Sequence, residues 1–349
     1  MATDAPNTPA PPVTGTSAGT AAGSAGSTTG SAEPAETATA TATGPAGSAG
    51  TAAGPGDAPL AVITVTYSPG EHLTAFLDSV PAAVSGGAVV LMADNGSTDG
   101  APEAAAAARD GVEFHPTGGN IGYGSAVNHA ARLLADRRAA GEVDGEFFIV
   151  SNPDVVFTPG AVDRMIEVAR RRPRAGAVGP LIREGDGSVY PSARAVPELV
   201  SGIGHALLAP VWPGNPFTAR YRNDADMDRE RTAGWLSGSC LLLRWDAFDE
   251  VGGFDERYFM YMEDVDLGDR LGRAGWENVF TPAAEISHAQ GHAAGSHPET
   301  MLPAHHDSAY RFQADRLDAW WQAPVRWVLW AGLKARSAVA VAAARRARR

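Results

Sequence analysis

Leu60-Ala-Val-Ile-Thr-Val-Thr-Tyr-Ser-Pro-Gly70 decides the fold. An unbroken apolar and β-branched run that ends in Tyr-Ser-Pro-Gly reads as a strand buried on both faces and closed by a turn. Downstream, Leu73, Phe76, Leu77 and Val80 recur at spacings of three and four, the period of a helix. A second strand, Ala88-Val-Val-Leu-Met-Ala93, stops at Asp94-Asn-Gly-Ser-Thr-Asp-Gly100, and a helix runs through Ala104–Ala108. A brief strand near Val112-Glu-Phe114, a helix over about 122–138 and the strand Phe147-Phe-Ile-Val150 follow. That strand ends in Ser151-Asn-Pro-Asp154, ahead of a helix over roughly 159–172. Such alternation predicts an α/β protein with a parallel sheet, right-handed crossovers and helices on both faces. Ligands of such sheets sit at the carboxyl ends of the strands, where Thr66/Tyr67, Asp94/Asn95 and Asn152/Asp154 fall.

Composition narrows the class. The 349 residues carry a net charge of −12, from 40 acids and 28 bases. Within residues 1–50, 44 positions are Ala, Gly, Ser, Thr or Pro, a composition that cannot bury enough apolar surface to offset its ordering entropy. Residues 1–58 are therefore read as a disordered leader, without the basic start and apolar core of a secretory signal. The single cysteine, Cys240, excludes a disulfide framework and a cysteine-based zinc site. No run reaches the ~18 apolar residues of a membrane-spanning helix, and the acidic balance argues against a general nucleic-acid binder. The expectation is a cytoplasmic catalytic domain over 59–300 and a helical, basic extension over 301–349. Residues 51–318 hold 37 acids against 21 bases, whereas 319–349 hold seven bases and no acid.

Beyond about 180 the alternation stops. Residues 183–232 are rich in Pro, Arg and polar groups around one apolar segment, Leu199–Val211. Gly234-Trp-Leu-Ser-Gly-Ser-Cys-Leu-Leu-Leu243 reads as a loop feeding a buried strand, and the helix that begins near Glu263 is closed by Gly275. A strand near Glu277–Thr281 leads into a His-rich loop.

Several clusters could carry chemistry. Asp94–Gly100 could accept from a pyrimidine or ribose donor, or be an ordinary turn and helix cap. Gly118-Gly-Asn-Ile-Gly-Tyr-Gly124 opens a helix but is neither a Walker A loop nor a dinucleotide fingerprint. Asp154 could hold a hard divalent cation that keeps sites open for substrate phosphate, with His288 or His292 completing the site. Five of the nine histidines, His288, His292, His297, His305 and His306, lie within 19 residues, which surface clustering also explains. In Glu263-Asp-Val-Asp266 three acids start a helix beside the apolar Tyr258-Phe-Met-Tyr-Met262. Carboxylates there suit a helix dipole, and an apolar flank also raises a carboxyl pKa towards that of a general base.

In this order the segments resemble the GT-A glycosyltransferases of family 2, and more narrowly the actinobacterial rhamnosyltransferases of the arabinogalactan linker in the cell wall. The stretches are Val62–Gly70, Ala93–Gly100, Asn120–Asn128, Asn152–Val155, Gly185–Arg194, Gly234–Cys240 and Gly252–Arg270. The resemblance implies a Rossmann-like, mostly parallel sheet with helices on both faces, its 59–180 half taking the nucleotide sugar and its 181–300 half the acceptor. It implies Asp94 on the pyrimidine base with Thr66, Tyr67 and Asn95 beside it, and Asn120, Gly122 and Asn152 in the donor pocket. It places Asp154 and His288 on a divalent cation, Mg2+ or Mn2+, although Asn152 stands where the wider family has an acid. Trp235, Ser237, Gly238 and Glu263 fall on the acceptor side, and Asp264 becomes the base that deprotonates the acceptor hydroxyl. The implied reaction is inverting transfer from dTDP-L-rhamnose to N-acetylglucosaminyl-diphospho-polyprenol. The alternatives are a family 2 enzyme with another donor, a silent nucleotide-sugar binding module, and a nucleotidyltransferase, which Tyr67–Glu71 argues against by lacking any base.

The C-terminal extension independently suits a lipid-linked acceptor. Trp320, Trp321, Trp327 and Trp330 lie within 11 residues, ahead of most of the seven bases. On a helical wheel Arg326, Lys334, Ser337, Arg345 and Arg348 fall within an arc of roughly 100°. A helix with Trp at the headgroups and bases towards anionic lipid would dock peripherally on the inner face of the cytoplasmic membrane. A packing helix with a solvated basic end explains the same pattern.

Overall fold

The computed structural model describes residues 58–198, 212, 226–288 and 298–347, all within one compact unit, Thr51–Arg349. The leader up to residue 57, the Leu199–Val211 segment, His292, His297, Arg348 and Arg349 lie outside the described residues.

Strand β1 (Leu60–Thr66) is buried along its whole length, as its uninterrupted apolar run predicts. Parallel to it lie β2 (Ala88–Asp94) on one side and β4 (Phe147–Ser151) on the other, and β3 (Val112–Pro116) continues beyond β2. Beyond β4 come β11 (Cys240–Arg244), antiparallel, then β6 (Ala175–Glu184), β12 (Glu277–His288), parallel to β6, and β5 (Val155–Phe157) at the far edge. Short strands β7 (Val189–Tyr190) and β9 (Arg231–Ala233) pair with β6 and β12, and β8 (Ala193–Arg194) and β10 (Trp235–Leu236) form a separate antiparallel pair.

Alternate residues of β1 feed two cores. Leu60 and Val62 pack with Leu73, Phe76 and Leu77 of α1 (His72–Ala83) and Met165 and Val168 of α4 (Ala161–Arg171). Ala61, Ile63 and Val65 pack with Val127, Ala130 and Leu134 of α3 (Tyr123–Ala139), Phe248 of α5 (Trp245–Glu250) and Leu267 of α6 (Glu263–Ala274). Each fully buried Leu, Ile or Phe contributes about 1.5–3 kcal/mol. Helix α2 (Ala101–Ala108) completes the layer beside β3, and Gly275 caps α6 at φ +89°, as its position predicts.

Two strands exceed the sequence expectation. Strand β6 was not evident in the sequence, and β12 extends to His288 instead of ending near Thr281, with a register shift between Thr281 and Glu285. The antiparallel register of β12 on β5 sets His288 opposite Val155, next to Asp154.

Helix α7 (Pro298–Ala314), a 3₁₀ turn (Trp320–Gln322) and α8 (Ala323–Ala347) form the C-terminal part. Of the basic arc expected to face lipid, Lys334 and Ser337 lie on the side of α8 towards α7, whereas Arg345 is exposed. Ser337 is buried, Lys334 Nζ pairs with Asp307 Oδ1 at 2.6 Å, and Arg326 Nη1 donates to the Leu317 carbonyl. Helix α7 offers the Asp307 carboxylate and the 315–319 linker the Leu317 carbonyl, and both partners of the Lys334–Asp307 pair stay about half exposed. The opposite face of α8 is apolar and exposed, with Val328 at 75% and Val339 at 71%; elsewhere in the C-terminal part Trp320 at 85% and Trp327 at 70% are exposed too.

Candidate active site

The parallel register brings Thr66 beside Asp94, Asp94 beside Pro116, and Thr64 beside Ser151, so the strand ends form one ledge. Asp94 organises this ledge. Its Oδ1 accepts from the hydroxyls of Thr66 and Ser97, and its Oδ2 accepts from the backbone N–H groups of Gly96 and Ser97. A carboxylate offers about four acceptor sites, so these donors occupy it, and the residue is only 3% exposed. Its side chain thereby shapes the 94–99 loop at the end of β2. Thr66 is wholly buried in that role, whereas Tyr67 stands open at the ledge.

Asn95 builds the second wall. Its amide donates to the Gly122 carbonyl at 3.2 Å and to Asn120 Oδ1 at 3.4 Å, while its oxygen accepts from the Thr117 hydroxyl. Asn120 Oδ1 also accepts from Gly122 N–H. Gly122 has φ +91°, and a Cβ there would lie 2.5 Å from the Phe259 carbonyl oxygen, so only glycine lets the loop meet the 252–262 turn.

At the end of β4, Asp154 Oδ1 lies 3.0 Å from His288 Nε2, and Asn152 Nδ2 lies 3.4 Å from the same nitrogen. Asn152 is fixed through its N–H to the Ser239 carbonyl. A carboxylate and an imidazole converging at a strand end fit a divalent cation that takes its remaining ligands from substrate oxygens and water. Among the described residues no set of three His, Cys, Asp or Glu side chains converges. His288 Nδ1 is buried without a hydrogen-bond partner, so the tautomer with Nε2 free for an ion is not locked from behind.

On the opposite wall Glu263 and Asp264 begin α6, preceded by Tyr261 and Met262 at φ +67° and +69°. Strained conformations at non-glycine residues occur where surrounding structure over-determines them. Asp264 Oδ2 accepts from Gly238 N–H at 2.9 Å and Oδ1 from Val265 N–H at 2.8 Å. Burial raises its pKa, opposed by those backbone donors and by the Arg194 charge. Glu263, with Oε2 buried and unpartnered, is pushed up to about 8 by burial and by the Asp264 charge. With its pKa at about 8, Glu263 keeps its proton near neutrality.

That proton has a thermodynamic consequence. Between the ordinary carboxylate range and about 8 the folded chain holds a proton at Glu263 that the unfolded chain has released, so stability falls as pH rises through this window. Glu263→Gln removes the titration. Its Tm should gain on the parent's steadily between about pH 5 and 8; a difference independent of pH would contradict the assignment.

Residues 61–248 match the family described as Glycosyl transferase family 2. The chain belongs to that family. Residues 217–332 also match Glycosyl transferase family group 2. The family 2 chain is 54% identical over 294 residues to N-acetylglucosaminyl-diphospho-decaprenol L-rhamnosyltransferase of Mycobacterium tuberculosis, covering 83% of this chain and 95% of that protein. It is 28% identical to rhamnosyltransferase WbbL of Escherichia coli, over 57% of this chain and 72% of the relative. Among solved structures, mannosyltransferase PcManGT from Pyrobaculum calidifontis, in complex with GDP-Man and Mn2+, superposes with a TM-score of 0.50 at 16% identity. It covers 82% of this chain and 75% of that one, a likeness of fold.

In this family 2 site Tyr123 ties the two walls together, a role the sequence reading missed although the residue lies in the glycine-rich stretch. Its phenol donates to the Gly238 carbonyl at 2.8 Å. Its pKa is raised well above the usual value by burial, then by the charges of Glu263, Asp264 and Asp154, which places all of them within electrostatic reach. Ser237 is buried, with its hydroxyl 3.0 Å from that of Ser239, and Trp235 packs on α6 at Gly268. Tyr123, Gly238, Glu263, Asp264 and Asp154 thus border one region.

Proposed function

We propose that the chain is an inverting glycosyltransferase that moves L-rhamnose from dTDP-L-rhamnose to N-acetylglucosaminyl-diphospho-polyprenol in building the arabinogalactan linker of the cell wall. Identity of 54% across 95% of the mycobacterial rhamnosyltransferase carries this reading. The site geometry supports it, because a held carboxylate lies across the region from an Asp–His pair. The catalytic unit is residues 59–300, with the nucleotide sugar towards the 59–180 half and the acceptor towards the 181–300 half.

In the mechanism, Tyr67, Asn95, Asn120, Gly122 and Asn152 border the donor, and Trp235, Ser237, Gly238 and Glu263 the acceptor. Asp264, fixed by two backbone donors, accepts the proton of the acceptor hydroxyl as its oxygen attacks the anomeric carbon opposite the leaving diphosphate. Protonated Glu263 keeps a second negative charge away from that base. Asp154 and His288 are the residues that would hold Mg2+ or Mn2+, whose chemistry there is neutralisation of the diphosphate's charge. The presence of both Asp264 and Asp154 speaks against a silent binding module.

A donor panel of dTDP-rhamnose, UDP-galactose, UDP-N-acetylglucosamine and GDP-mannose tests the reading against a polyprenyl-diphosphate acceptor analogue. Transfer from dTDP-rhamnose is expected to dominate; preference for another donor would replace the sugar assignment. Chelation should abolish transfer, and Asp154→Asn should raise the Mg2+ or Mn2+ concentration for half-maximal rate by at least about 10–100-fold. An unchanged metal requirement would remove Asp154 as a ligand.

For the membrane, no described helix is long and apolar enough to cross one. Peripheral docking through α8 is supported by Val325, Val328, Ala335 and Val339, which share one face within about 80° at 100° per residue. That apolar face, the exposed tryptophans and the basic helix end would meet an anionic surface together. In flotation with phosphatidylglycerol vesicles, replacing Trp320, Trp321 and Trp327 by serine should release most of the bound chain, and equal flotation would reject this surface.

A further inference from the structure

Arg194 is a cation that the proposed chemistry leaves unused. It lies on β8 opposite Trp235 of β10, and its guanidinium carbon is 5.6 Å from the Tyr190 ring centroid and 6.0 Å from that of Trp235. Nε donates to the Pro191 carbonyl at 2.8 Å. Arg172, Arg257 and Arg270 each pair with carboxylates, but no carboxylate among the described residues pairs with Arg194. The layer it belongs to adjoins the base. Trp235 is pressed on α6 so closely that a Cβ at Gly268, one turn beyond Asp264, would come within 2.7 Å of its Cβ. Trp235 Nε1 is itself held by the Ala195 carbonyl at 3.0 Å.

A guanidinium fixed by one edge and by aromatic faces keeps its two terminal amino groups for a planar or phosphate anion. The proposed reaction brings two diphosphates, the donor's leaving group and the acceptor's lipid link, near Asp154, Glu263 and Asp264. The leaving diphosphate would be neutralised by the cation that Asp154 and His288 would hold, and the acceptor's diphosphate needs a cation of its own on the side of Asp264. We propose that Arg194, held by Tyr190, Trp235 and the Pro191 carbonyl, binds the diphosphate of the lipid-linked acceptor. This rests on the acceptor class proposed above.

The test compares the parent chain with Arg194→Gln and Arg194→Lys on two acceptors, a short-chain prenyl-diphospho-N-acetylglucosamine and an uncharged octyl N-acetylglucosaminide. Arg194→Gln should reduce the kcat/KM preference for the diphosphate acceptor by about 10–100-fold through acceptor KM, with donor KM unmoved. Arg194→Lys should restore part of that preference. A rise in donor KM with the preference intact overturns the proposal, assigning Arg194 to the leaving diphosphate. Equal losses on both acceptors with a displaced acid limb also overturn it, making Arg194 only a tuner of Asp264. If the parent transfers to neither acceptor, the proposed reaction fails instead. Arg194 is then judged by calorimetric binding of the prenyl diphosphate, which should weaken in Arg194→Gln; equal affinity overturns its role.

Discussion

Asp264→Asn is expected to lower kcat by about 10²–10⁴-fold, the usual contribution of a positioned base, while dTDP binds with parental affinity. The substitution is nearly isosteric and removes the ability to accept a proton. Its structural cost is small. Gly238 N–H and Val265 N–H now bond to separate carboxylate oxygens, and an amide can serve only one of them, a loss of about 1 kcal/mol. Glu263→Gln is the informative partner, because Glu263 is already protonated near neutrality and its amide mimics that state. Calorimetry with dTDP and a progress curve for each variant separate the two residues. Near-parental turnover in Asp264→Asn would withdraw the base assignment, and equal losses in both variants would make the pair act as a unit.

The reach of the sequence differs between elements for physical reasons. Strands β1 and β4 were legible because burial on both faces imposes unbroken apolar runs, and α6 was legible from its acidic start and glycine stop. Strand β6 was hidden because Gly176, Gly179 and Pro180 lower its strand character. Its glycines answer distant packing: a Cβ at Gly176 would meet Trp276 at 2.9 Å, and one at Gly179 would meet Leu236 at 3.2 Å. No local pattern carries that information. The same holds for the site. Asp154 and His288 are recognisable as residue types, but their pairing depends on the register of β12 on β5 across 134 residues. Asp94 is recognisable as a residue type, but its four donors become visible only when the 94–99 loop is folded. On α8 the wheel located the bases, and their partners on α7 and in the 315–319 linker follow from how the C-terminal helices pack.

Gly122→Ala should be the most damaging single-methyl change in this site. Two costs combine there. The φ of +91° disfavours any Cβ, and that Cβ would stand 2.5 Å from the Phe259 carbonyl oxygen, a backbone atom that cannot swing aside. The same carbonyl accepts Tyr123 N–H at 3.2 Å, and the Gly122 carbonyl accepts from Asn95. Relief of the clash therefore parts the 117–122 loop from the 252–262 turn and strains both bonds. We expect a loss of about 2–4 kcal/mol, the left-handed strain plus one or two weakened hydrogen bonds. Gly141→Ala supplies the control, because Gly141 has φ +72° but open space around it, so it should lose only about 1 kcal/mol. The displaced turn leads directly into Tyr261, Met262 and the first residues of α6, so the Gly122 variant should also lose transfer in the fraction that remains folded. Urea unfolding of both variants, with kcat measured well below the transition, reads the two effects separately. Equal destabilisation at Gly122 and Gly141 would mean that the Phe259 contact contributes nothing. A destabilised Gly122 variant with parental kcat would mean that the turn does not position Asp264.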